Sequence, residues 1–367
     1  MSAALLAAAD AAAARRDLAT AASLLAQVVA LEAGDGETWK KLAGCRRALG
    51  DAPGALRAIA AALALEPRDP LALLIKGALV EAAGDDAEEP YRAALAFLPD
   101  PARLSPPLRA QAERAARYRD AAAMRRADRL AAVVEQTAVP LIDAERARVD
   151  AFVGALAKGD TSTVLPGLSR PAYFAPDLFA GLEQAARAHA RYTREYLALM
   201  TDENVALPYV DHPAGVPLDQ WAALNRSSQW SAAHLWRGGA VVEAVACRCP
   251  ETIAAFATLP APDMPGRAPN LMFSILAPRT RIPRHVGVLN ARLVVHIPLL
   301  IPPDCVMIVG EEARAWVPGE ALVFDDTVEH EARNDSDEVR VVLIGDAWHP
   351  DLSPNERVVL RALLARA

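Results

Sequence analysis

The chain has 367 residues, enough for two or three domains and a sizeable core. Hydrophobic residues make up 53% and charged residues 23%, with 39 basic against 46 acidic side chains and a net charge of −7. This excludes a disordered chain, and the acidic balance argues against binding to nucleic acid or an anionic membrane, which both need a basic face. Four cysteines, two of them in a lone C-x-C (Cys247, Cys249), are too few for a disulfide scaffold and read as reduced, packed thiols. The apolar start has no basic residues ahead of it, and Arg15 and Arg16 follow it. A soluble, cytoplasmic protein is expected.

Residues 1–100 read as helical throughout; 17 of the first fifty are alanine. A period of 34 runs through them: Arg16-Asp17, Gly50-Asp51 and Gly84-Asp85, then Leu5, Trp39 and Leu73, then Leu25, Ile59 and Ala93. The middle unit, with Trp39, Leu42, Ala43, Ala55, Ile59, Ala62 and Pro67, resembles the tetratricopeptide repeat. Such repeats bury a shared core and offer a concave surface for peptides, so this region is expected to bind a partner and to carry no chemistry.

Residues 101–160 are expected to form a helical linker, with a long helical stretch from Leu108 to about Lys158. The segment 161–176 reads as a loop, and Asp177 is a candidate N-cap for a helix reaching Met200. From Pro208 prolines, tryptophans and β-branched runs replace alanine. Strands are predicted at Leu271–Ala277, Ala291–Ile301, Cys305–Val309, Ala313–Val317, Ala321–Phe324 and Val339–Ile344. Short strands with frequent turn signals suggest an antiparallel sandwich or jelly roll.

Four of the seven histidines (His285, His296, His330, His349) lie in the last 83 residues. Histidines at the ends of different strands in a small β barrel can converge on a metal, since neutral imidazole suits iron, copper, nickel and zinc. Asp325 and Asp326 precede His330, and the simpler reading has them cap a turn; His349, in W-H-P, reads as structural.

Three ordered blocks carry a resemblance: R-I-P-R-H-V-G-V-L-N-A-R-L-V-V-H-I-P-L (281–299), W-V-P-G-E-A-L-V-F-D-D-T-V-E-H-E-A-R-N-D-S (316–336) and R-V-V-L-I-G-D-A-W-H-P (340–350). Together with P-Y-V-D-H-P-A-G-V-P (208–217), they resemble the aspartyl/asparaginyl β-hydroxylase family of iron(II)- and 2-oxoglutarate-dependent dioxygenases. The resemblance covers about residues 200–362. It implies a C-terminal double-stranded β-helix, or jelly roll (161–367), so that with the N-terminal all-α tetratricopeptide-like repeats (1–100) and the helical linker (101–160) a multidomain α and β chain is expected.

By the same resemblance, His285 and His330 are the iron ligands, and Gly287 stands where other dioxygenases carry a carboxylate ligand. Arg340 would take the far carboxylate of 2-oxoglutarate, with Ser274 sharing it. Arg292 and His296, four apart on a predicted strand, share a face and match residues near the iron-side carboxylate or the substrate. Arg284 departs from the family's usual proline. The implied activity uses Fe(II), 2-oxoglutarate and O2 to hydroxylate an unactivated carbon, Cβ of an aspartyl or asparaginyl unit in a peptide or protein held by the repeats. Alternatives are a hydroxylase of a free amino acid or other small molecule, a repeat scaffold with an inactive barrel, and a halogenase using the position left open by Gly287.

Overall fold

In the computed structural model, which describes residues 2–32, 35–159, 164–202, 204–213 and 216–366, the first hundred residues form antiparallel helix pairs. These are α1 (Ser2–Ala14) with α2 (Leu18–Glu32), α3 (Gly36–Ala48) with α4 (Ala52–Leu65), and α5 (Pro70–Ala82) with α6 (Glu88–Phe97). The first helices of the pairs begin at residues 2, 36 and 70, so the period of 34 is a period of structure. Arg16, Gly50 and Gly84 occupy the same left-handed position in successive turns, with φ of 62°, 82° and 82°. Glycine fits there because it has no Cβ to strain the turn. Asp35 and Asp69, also 34 apart, cap α3 and α5 by accepting from backbone N–H groups. Ala9, Ala12, Ala21, Ala43, Ala55, Ala58 and Ala72 are buried between the helices beside Leu25, Leu42 and Ile59, which is why alanine is so abundant here.

The chain divides into two compact units, Met1–Met124 with Ala214–Pro217, and Arg125–Pro213 with Leu218–Ala367; the division falls inside the long helix α7 (Pro106–Thr137). Helix α8 (Asp143–Ala157) follows, so the helical stretch expected from Leu108 to Lys158 is two helices. The expected boundary at 160/161, residues 161–163 of the expected loop, 33–34 of the repeats and 214–215 of the 208–217 block lie outside the described residues. The single helix expected from Asp177 to Met200 is not found. Pro176–Leu178 is one 3-10 turn, Gly181 turns the chain with φ +79°, and two helices follow, α9 (Leu182–Arg187) and α10 (His189–Leu199). Asp177 lies within the 3-10 turn and does not cap a helix.

The rest of the second unit is antiparallel sheet with a few helices. In chain order come β1 (Leu207–Pro208), β2 (Trp230–Arg237), β3 (Ala240–Val241), α11 (Glu243–Ala246), α12 (Pro250–Phe256), β4 (Leu271–Leu276), β5 (Thr280–His285) and β6 (Arg292–Leu300). Then follow β7 (Cys305–Val309), β8 (Glu312–Ala315), β9 (Leu322–Phe324), β10 (His330–Asn334), β11 (Arg340–Trp348) and α13 (Pro354–Leu364). The larger sheet has the order β1-β2-β4-β11-β6-β9, with β3 paired to β2; the smaller has the order β5-β10-β7-β8.

Alternation along β6 and β11 decides what each face meets. Leu293, Val295, Ile297, Val341 and Leu343 pack with Tyr196 of α10 and Phe256 of α12. Val294 and Val342 look the other way, into a core shared with Ile282, Met307 and Ala332 of the smaller sheet. The two sheets therefore enclose an interior on the face that also carries Arg292 and His296. No helix among the described residues is long and apolar enough to cross a membrane.

Candidate active site

The interior holds a cavity of about 150 Å³ lined by residues of both sheets, and all six residues singled out in the sequence reach it: Ser274, His285, Arg292, His296, His330 and Arg340. A wider mouth lies beside it, lined by Tyr209, Trp221, Trp230, His234, Arg237, Val286 and Val288 among others, and shares His285 and His330 with it.

His285 ends β5 and His330 begins β10, and the antiparallel register sets them opposite one another. Their ring centroids are 4.0 Å apart. The Nδ1 of His285 lies 2.8 Å from the Pro283 carbonyl and that of His330 lies 2.9 Å from the Val328 carbonyl. A carbonyl oxygen only accepts, so each Nδ1 carries the proton and each Nε2 keeps its lone pair. Burial pushes both imidazoles below the ordinary histidine range, His285 to about 4 with the neighbouring His330 adding to the effect. Both are neutral donors at physiological pH, the form a metal requires.

His296 has the opposite tautomer. The Trp316 indole N–H donates to its Nδ1 at 3.2 Å, so Nδ1 bears the lone pair and Nε2 the proton. Complete burial, with Arg340 nearby, holds it well below the usual range. His296 is thus equipped to donate a hydrogen bond into the cavity.

Arg340 opens β11 and is 1% exposed. No carboxylate pairs with it among the described residues. Its Nη1 reaches only the carbonyl and hydroxyl of Ser274, both at 3.4 Å, its Nε has no partner, and its guanidinium lies 5.0 Å from the Trp316 ring centroid. Burial lowers its pKa to about 10, which leaves it charged at neutral pH. A buried cation without a counter-ion costs several kcal/mol, so this site is built for an anion. Ser274 stands ready beside it, its hydroxyl accepting from the Trp230 indole at 3.2 Å.

Arg292 is occupied. Its Nη2 donates to Asp326 at 2.8 Å and its Nη1 to Asp346 at 3.1 Å, and Asp346 in turn accepts from the backbone and side chain of Asn270. Asp326 Oδ1 is buried without a hydrogen-bond partner. The paired aspartates part company here. Asp325 caps the turn by accepting from the N–H and hydroxyl of Thr327, whereas Asp326 lines the cavity. Gly287 is explained sterically: a Cβ there would lie 2.2 Å from the Asp326 carboxyl carbon. His349 is buried and away from the cavity; its Nε2 lies 3.0 Å from the Ser169 carbonyl and its Nδ1 accepts from Asp351 N–H.

Sequence reasoning missed Trp230 and His234, and it quoted Tyr209, Trp316 and Asp346 without giving them a role. Tyr209 stacks on Trp230 at 4.1 Å. The segment W-S-A-A-H-L-W has no polar/apolar alternation and few β-branched residues, so it gave no strand signal. Burial pushes His234 down to about 4, with Arg237 adding to the effect.

The donor set fits a divalent cation with open positions. Among the described residues no group of three or more His, Cys, Asp or Glu side chains could hold a metal, and the facing imidazoles of His285 and His330 are the pair that could ligate one here. The orphaned Asp326 Oδ1 lines the same cavity and can accept from a water on such an ion.

Residues 190–350 match the family model described as Aspartyl/Asparaginyl beta-hydroxylase. The human aspartyl/asparaginyl beta-hydroxylase is 33% identical over 167 residues, 45% of this chain and 22% of that protein. Aspartate beta-hydroxylase domain-containing protein 2 of Xenopus tropicalis is 27% identical over 207 residues, covering 54% and 56% of the two chains. The human domain-containing protein 1 is 41% identical over 99 residues, 26% of this chain and 25% of that one. The chain thus spans about a fifth of the length of the human hydroxylase. A solved cupin domain of a transcriptional regulator from Enterobacter cloacae aligns with 22% of this chain and 81% of that one at 18% identity, with a TM-score of 0.20. Over residues 190–350, this chain is thus similar to the aspartyl/asparaginyl β-hydroxylase family.

Proposed function

We propose that the chain is an iron(II)- and 2-oxoglutarate-dependent dioxygenase that hydroxylates an unactivated carbon, Cβ of an aspartyl or asparaginyl residue in a peptide. On this reading the two sheets are a double-stranded β-helix and the N-terminal helix pairs are tetratricopeptide-like repeats that hold a peptide or protein partner. The observation that carries it is the buried, unpaired Arg340 in the same cavity as the facing pair His285 and His330.

His285 and His330 would hold the iron, which supplies O2 activation coupled to decarboxylation of the cosubstrate. The remaining tasks fall to this chain. Arg340 and Ser274 bind the far carboxylate of 2-oxoglutarate, the guanidinium acting as a fork that a lysine could not imitate. His296 donates through Nε2–H to an oxygen of the cosubstrate. Burial pushes the Asp326 and Asp346 carboxyls up, Arg292 between them opposes that push, and its contact holds Asp326 beside Gly287. Tyr209, Trp221 and Trp230 at the mouth shield the cavity from water and orient the substrate carbon.

The test is succinate formation from 2-oxoglutarate by the full chain, with and without iron and with a set of Asp- and Asn-containing peptides. Iron-dependent succinate, stimulated by a peptide that gains one oxygen, is the expected result. No iron-dependent succinate under any of these conditions would overturn the reading.

A further inference from the structure

Strand β2 does not run as a simple strand. Trp230 to His234 pair in step with β4, but the register slips between His234 and Trp236, so a bulge falls at Leu235. In an unbroken strand, residues three apart point to opposite faces. The bulge re-aims the chain, and His234 and Arg237 both line the mouth of the cavity. The strand then ends in a two-residue turn whose glycines, Gly238 and Gly239, have φ of 57° and 84°. Both central positions of such a turn need positive φ. The turn is anchored: Gly238 N–H donates to the Asn270 side chain at 2.9 Å and Gly239 N–H to the Pro269 carbonyl at 3.0 Å. Asn270 is itself tied to Asp346, so Arg237 stands on a fixed platform.

The other cations lining the mouth are committed. Arg226 pairs with Asp211 at 2.8 Å, and Arg292 is clamped between Asp326 and Asp346. Arg237 makes no ion pair among the described residues, and the Nδ1 of its neighbour His234 is buried without a hydrogen-bond partner. An uncommitted guanidinium and an imidazole nitrogen with no partner, placed on one side of the strand by a bulge, can bind a carboxylate when His234 carries its proton on Nδ1. The bulge, the anchored glycine turn and the orphaned nitrogen all serve the same spot.

We propose that Arg237 and His234 form a carboxylate-binding subsite at the mouth of the cavity, which holds an acidic group of the substrate and makes the protein select carboxylate-bearing substrates over neutral ones. It deepens the hydroxylase reading above and rests on it. The carboxylate comes either from an acidic side chain or from a free chain terminus. His234 contributes a hydrogen bond and Arg237 the charge.

The test is calorimetric binding to the full chain loaded with manganese, which needs no turnover. Three probes are compared: acetyl-Gly-Asn-Gly-amide, which has no carboxylate; acetyl-Gly-Asp-Gly-amide, with a side-chain carboxylate; and acetyl-Gly-Asn-Gly with a free C-terminus. One carboxylated probe is expected to bind at least tenfold more tightly than the neutral one, and its identity names the source. Arg237→Gln should reduce that preference to less than threefold while leaving affinity for the neutral probe within twofold of wild type. Equal binding of all three by the wild type, no binding of any, or a preference that survives in Arg237→Gln would overturn the subsite. If the preference behaves as expected but no iron-dependent succinate forms, the subsite stands and the hydroxylase reading fails.

Discussion

Three histidines in one interior carry different protons, and the difference comes from single backbone and side-chain contacts. His285 and His330 each give Nδ1–H to a carbonyl two residues earlier, whereas His296 receives an indole N–H at the same atom. The sequence marked all three residues through the family resemblance, yet tautomers depend on partners such as Trp316, twenty residues from His296, that no local pattern reveals. Gly287 illustrates the same limit. In the sequence it reads as a missing carboxylate; in the structure it is also the space that Asp326 fills. Gly287→Ala is therefore expected to push Asp326 off Arg292 and cost about 1–3 kcal/mol, because the guanidinium and carboxylate lose their buried contact. In an Asp326→Ala background the same substitution should cost less than about 0.5 kcal/mol. Urea unfolding of the four proteins checks this; equal costs in both backgrounds would show that Asp326 is not what excludes a side chain.

At the scale of elements, the strands most legible in the sequence were those carrying continuous apolar or β-branched runs. The apolar runs of β6 and β11 announce themselves, and β7 was predicted with its observed bounds. The strands that hold the histidine pair, β5 (T-R-I-P-R-H) and β10 (H-E-A-R-N), were not predicted, because charge and proline outweigh their apolar residues. β5 lies at the edge of its sheet, where Pro283 does not interrupt a ladder. The pair α8 and α13, far apart in the chain, illustrates a different cause of stability. Arg148 of α8 donates to Glu356 of α13 at 2.7 and 3.2 Å, and Glu356 is 1% exposed. Arg148→Ala strands a buried carboxylate and is expected to destabilise the second unit by about 2–4 kcal/mol. Arg148→Ala with Glu356→Gln should recover at least half of that, and chemical denaturation distinguishes this from a simple loss of packing, which the second change would not repair.

For the whole molecule, the period of 34 made the N-terminal helix pairs legible down to their turns, but not where the first unit ends. Leu108, Ala115 and Tyr118 of α7 pack with Leu73, Leu74 and Tyr91, and the Tyr118 hydroxyl accepts from Ala87 N–H at 3.1 Å. A cut at residue 100 removes the partners of that helix, whereas a cut at 124 keeps each apolar cluster whole. The fragment 125–367 is accordingly expected to bind metal and 2-oxoglutarate within about threefold of the full chain, with weaker binding of a large peptide partner; equal peptide affinity would leave the repeats no part in recognition. On the proposed reading Arg340 awaits the cosubstrate carboxylate beside the histidine pair, and the decisive measurement is calorimetric titration of 2-oxoglutarate into manganese-loaded protein. Wild type should bind one equivalent, and Arg340→Met should bind at least tenfold more weakly, since a charge-assisted contact of about 1.5–3 kcal/mol is lost. The ligand-free Arg340→Met protein should also be more stable than wild type, having shed an unpaired buried charge. An unchanged 2-oxoglutarate affinity in Arg340→Met would mean that the cosubstrate carboxylate does not bind at Arg340.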